Sequence, residues 1–75
     1  MNSYFLRFVL KNGHMLYGRR KSIADITDIK YELSETKYRK MDYHFSSLNG
    51  ERAIVVDMEQ VASYEVGPWK GNDND

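Results

Sequence analysis

Apolar and polar residues alternate with a period of two through both flanks of the chain, and follow a helical spacing only in the stretch between them. In the second half, Met41, Tyr43, Phe45, Ile54, Val56 and Met58 take alternate positions about Asn49-Gly50. A two-residue type I′ turn at that dipeptide needs positive φ at both central residues, which Asn tolerates and Gly adopts freely. It sets Leu48 opposite Glu51, Phe45 opposite Ile54, Tyr43 opposite Val56 and Met41 opposite Met58, with Asp42, His44, Ser46 and Asp57 on the other side. The pattern predicts a half-buried antiparallel hairpin over about 41–58.

Asn12-Gly13 predicts a first hairpin over about 3–18 by the same rule. Leu10 then faces Met15, Phe8 faces Tyr17 and Leu6 faces Arg19, while Val9 meets Leu16 on the opposite side. Apolar residues on both sides predict a strand pair covered twice, in a small barrel or at an interface, which makes Val9 and Leu16 candidate interface residues. Between the hairpins, Ser22 followed by Asp25 resembles a capping box, and Ile23, Ile26, Ile29 and Leu33 share a helical face, so a helix is expected over about 23–33. Ser34 to Lys40 reads as a polar, basic connection, Glu59 to Val61 as one turn of 3₁₀ helix, and 63–66 as a closing strand with Tyr64 and Val66 buried.

The expected fold is thus a small mostly-β (α+β) domain. Its element order resembles that of SH3-like and Sm-like small barrels, and an open antiparallel sheet packed on the helix satisfies the same order. No residue signature accompanies the resemblance. Residues 1–69 form one domain, and 70–75 an acidic tail expected to be disordered. Trp69, just before that tail, either folds back onto the core or joins a partner surface.

A chain of 75 residues without cysteine has a small core and neither disulfides nor a thiolate metal site, and association with further copies relieves that shortage. The first residues lack the basic start of a signal peptide, and no stretch has the roughly 20 apolar residues of a membrane span, so a cytoplasmic protein is expected. The net charge is zero but divided. Residues 1–40 carry nine Lys or Arg against four Asp or Glu, and 41–75 carry two against seven.

Two basic groups stand out. Arg19, Arg20, Lys21 and Ser22 precede the expected helix and suit a phosphate or other anion, though they also suit a solvated loop. Lys37, Tyr38, Arg39 and Lys40 place an aromatic among charges, as sequence-tolerant single-strand binders do. Asp42 opposite Asp57, with His44 nearby, is the one pairing that could hold a hard cation or act in acid-base chemistry. No nucleophile motif is present, and so short a chain encloses little space, so no enzyme activity and no cofactor are expected. Two functions remain: a protein-interaction or assembly module, with itself or another protein as partner, and a nucleic-acid or polyanion binder using the two basic groups. Overall neutrality favours the first.

Overall fold

The computed structural model describes residues 1–71. Strands β1 (Asn2–Leu10) and β2 (Met15–Ser22) form the first hairpin, α1 (Ile26–Tyr38) follows, and β3 (Asp42–Ser46) and β4 (Ala53–Asp57) form the second. A 3₁₀ turn, Met58–Gln60, then leads into β5 (Val61–Pro68). All neighbouring strands are antiparallel, in the order β4-β3-β2-β1-β5. This is the expected α+β domain. The sheet is open, because β4 and β5 are its two edges and are not bonded to each other.

It is nevertheless curled. Flat strands about 4.8 Å apart would put the two edges roughly 19 Å from each other, whereas the four steps from Asp57 to Val61 span at most about 14 Å. The short 3₁₀ turn therefore draws the edges together at one end. Asp57 starts that turn by accepting a hydrogen bond from the Glu59 N–H at 3.0 Å.

The two hairpins close differently from expectation. At both tips only the glycine has positive φ, 90° at Gly13 and 76° at Gly50, while the asparagines do not. Each tip is a turn closed by a glycine N–H, to Leu10 O at 2.9 Å and to Ser47 O at 2.8 Å. In the second hairpin Ser47 pairs with Arg52 around a four-residue loop, and the expected register survives: Phe45 faces Ile54 and Tyr43 faces Val56. In the first, Leu10 pairs with His14 around three residues, so the register moves by one. Phe8 faces Leu16, Leu6 faces Gly18 and Val9 faces Met15. The expected pairing of Val9 with Leu16 is therefore corrected. Leu16 packs against the core, and Val9 lies on the other side of the sheet.

The helix also moves along the chain. Its N-cap is Asp25, which accepts from the Asp28 N–H at 3.0 Å, whereas Ser22 accepts from the Ala24 N–H. Ile23, 87 % exposed, lies outside the helix, and Ser34 to Tyr38, expected as connection, form its last turns. Lys40 sits at φ 57° after the helix, and the Met41 and Lys40 N–H groups donate to Thr36 and Lys37 carbonyls. That is a Schellman closure with lysine where glycine is usual, which is why the helix end was not marked in the sequence.

Ile29 and Leu33 of α1 bury completely against Leu6 and Phe8 of β1, with Tyr43, Phe45, Val56, Met58 and Val61 closing the core. The Phe8 and Phe45 rings lie 5.0 Å apart. Gly18 has no side chain because the Phe45 ring occupies that space: a Cβ there would collide with the ring and with the Ser46 carbonyl. Between β1 and β5 the register shifts at Leu10, leaving Ala62 as an extra residue and turning Val61 inward. Arg20 and Glu32 join sheet to helix through two hydrogen bonds of 3.0 and 3.1 Å. The Tyr43 hydroxyl is buried beside this pair, and burial, reinforced by Glu32, pushes its pKa well above the ordinary tyrosine value.

Candidate functional site: the outer face of the sheet

Because side chains alternate across a strand, the residues between the core positions form a second surface that no helix covers. Its centre is the ion pair Arg7–Glu65, 3.1 Å, across β1 and β5. On one side of that pair lie Val9 and Met15, directly opposite each other on β1 and β2. On the other lies Phe5, whose ring is 6.1 Å from that of Tyr17. Met15 is 50 % and Tyr17 43 % exposed, a large apolar surface for a monomer this small. The apolar strip continues into an open hollow of about 490 Å³ walled by Phe5, Leu48, Pro68 and Trp69.

Trp69 folds back over the end of this face. Its backbone N–H donates to the Ser3 carbonyl at 3.2 Å, and its ring lies 5.1 Å from the guanidinium of Arg19. Arg19 sits opposite Phe5 on β1 and Ser46 on β3, in the middle of the sheet. Trp69 above it and the Gly50 turn beside it leave it only 6 % exposed. A basic residue expected to serve an anion site or a solvated loop is thus a buried strand residue. The signal for it was parity: once Phe8 faces Leu16, Arg19 must point away from the core.

The two basic groups lie on different elements: Arg19, Arg20, Lys21 and Ser22 end β2, whereas Lys37 and Tyr38 end α1 and Arg39 and Lys40 follow it. Several of their charges are already engaged. Arg20 pairs with Glu32 and Arg39 lies 3.8 Å from Glu35, while the Lys37 ammonium reaches the Met58 and Val61 carbonyls. Lys37 lies on the buried stripe with Ile26, Ile29 and Leu33, so it fastens the helix to the 3₁₀ turn. Tyr38 is exposed.

Asp42 does face Asp57, but both are exposed and Asp57 is engaged as a cap. His44 stands opposite Val55. Among the described residues no group of three or more His, Asp or Glu side chains gathers as a metal site, and no helix is long and apolar enough to cross a membrane. Residues 72–75 of the expected acidic tail lie outside the described residues. Compared with protein-family models, with curated proteins and with solved structures, the chain matches none.

Proposed function

We propose that this chain is a small, non-catalytic protein-interaction module that assembles with a second copy of itself through the outer face of its sheet. The observation that carries the reading is the arrangement of that face. Apolar residues, Val9 with Met15 and Phe5 with Tyr17, flank a neutral Arg7–Glu65 pair. Such a surface is complementary to its own two-fold copy, because apolar meets apolar while each arginine approaches the other copy's glutamate. Two sheets packed face to face about 10 Å apart would bury it. The opposite charge of the two halves of the chain, five in excess each way, supports self-recognition at zero net charge.

Nucleic-acid binding has less support. Within its two basic groups, Arg20, Lys37 and Arg39 spend their charge inside the domain, and Arg19 is buried under Trp69. The likeness to SH3-like and Sm-like barrels extends to element order and adds nothing to either reading.

Sedimentation equilibrium from low to high micromolar concentration tests the proposal. The expected result is a dimer whose dissociation constant rises at least about tenfold in a Val9→Glu, Tyr17→Glu double variant. A wild-type chain that stays monomeric at the highest concentration sinks it.

A further inference from the structure

Among the described residues, Arg19 is a buried cation without a counter-ion. It is more than nine-tenths buried, its Nη1 has no hydrogen-bond partner, and no carboxylate pairs with it among the described residues. The indole N–H of Trp69, whose ring it stacks on, is also buried without a partner. Burying a guanidinium is costly unless something neutralises it and accepts its hydrogen bonds. Stacking on an indole offsets part of that cost but accepts none of the in-plane N–H groups.

A cavity of about 270 Å³ adjoins this residue, lined by Arg19, Arg20, Lys21, Phe45, Ser46 and Gly50. It opens where β2 and β3 share a single pair, Arg19 with Ser46. The lining holds three basic residues, a hydroxyl and no acid. Gly50 keeps the approach clear, since a Cβ there would lie 2.5 Å from Nη2 of Arg19. Arg20 already spends its charge on Glu32, so the positive charge left for a ligand belongs to Arg19 and Lys21.

We infer that this cavity is an oxyanion site, in which the guanidinium fork of Arg19 takes a carboxylate or phosphate group that none of the described residues supplies. The planar fork favours two parallel hydrogen bonds to such a group, the Ser46 hydroxyl supplies a further donor, and Lys21 adds attraction at the mouth. The volume admits the anionic group and a short substituent. The site adjoins the Phe5 end of the apolar ladder, and its argument does not rest on self-assembly.

The test is an amide- and guanidinium-resolved NMR titration of the full chain with inorganic phosphate in one arm and acetate in another. Each is matched by sodium chloride at equal ionic strength, and Trp69 fluorescence is read in parallel. Saturable shifts centred on Arg19, Ser46 and Gly50, with a change at the Trp69 indole, are expected from at least one of the two anions; the stronger arm identifies the preferred group. Arg19→Met keeps the length and packing of the side chain, and should weaken the response at least about tenfold with a dispersed, folded spectrum. Arg19→Lys should fall between. A Val9→Glu, Met15→Glu variant, altered at the end of the outer face away from Arg19, should respond like the wild type, which separates this site from the assembly surface. Shifts that grow linearly, that chloride reproduces, or that persist unchanged in Arg19→Met would overturn the assignment. Should Arg19→Met fail to fold, the wild-type shift map decides alone: shifts elsewhere reject the site.

Discussion

The two faces of this sheet are built from the same strands and the same alternation, yet they do different work. On the covered face, Phe8, Leu6, Tyr43 and Phe45 meet Ile29 and Leu33 with almost no exposure, and every position is constrained by its neighbours. On the outer face, Val9, Met15, Phe5 and Tyr17 are as apolar but only partly covered, and the charges between them are paired. The covered face makes the domain fold. The outer face has more apolar surface than folding requires, and that surplus is what points to a partner.

Paired substitutions sharpen the contrast. Phe8→Ala on the covered face should cost about 4 kcal/mol of folding stability and Phe5→Ala on the outer face about 1 kcal/mol, because only the first opens a sealed cavity. Denaturant unfolding of both variants measures this, and equal losses would mean that the outer face is core. The glycines give a smaller version of the same test. Gly18→Ala drives a methyl into the Phe45 ring and should cost about 2–3 kcal/mol, whereas Gly67→Ala meets open space and should change stability by less than about 0.5 kcal/mol.

An effect that is small at neutral pH and grows above it comes from Tyr43. The pKa of Tyr43 is raised in the folded chain, so the folded state holds its proton where the unfolded state releases it. Its contribution is complete below the unfolded value of about 10 and is lost as pH rises above that. Tyr43→Phe should therefore flatten the alkaline loss of stability, while leaving neutral stability within about 1 kcal/mol because the hydroxyl has no partner. Thermal unfolding of both chains between pH 7 and 11 reads the difference.

The fold was largely legible, and where it was not the reason is geometric. An Asn-Gly pair marks a turn, but loop length sets the register: four residues preserve the parity of a two-residue loop and three reverse it. The second hairpin is therefore legible despite its different turn, while in the first the expected register sets Tyr17 opposite Phe8, where Leu16 lies, and leaves Phe5 unnoticed. The helix ran past Ser34 because its polar last turns are anchored by Lys37 and closed by Lys40, two residues whose composition says loop. Of the candidate sites, Trp69 was read as folding back or facing a partner, and it folds back over Arg19. The burial of Arg19 was invisible, since a run of three basic residues gives no hint that its first member lies under an indole.

The most direct test of an outward-facing assembly surface is the relaxation caused by a soluble paramagnetic agent, measured amide by amide at a dilute and a concentrated sample. The account predicts that Phe5, Arg7, Val9 and Tyr17 become shielded on concentration while exposed positions of α1 such as Tyr31 and Tyr38 do not change. Equal exposure of the outer face at both concentrations, or shielding that appears on the helix instead, would contradict it.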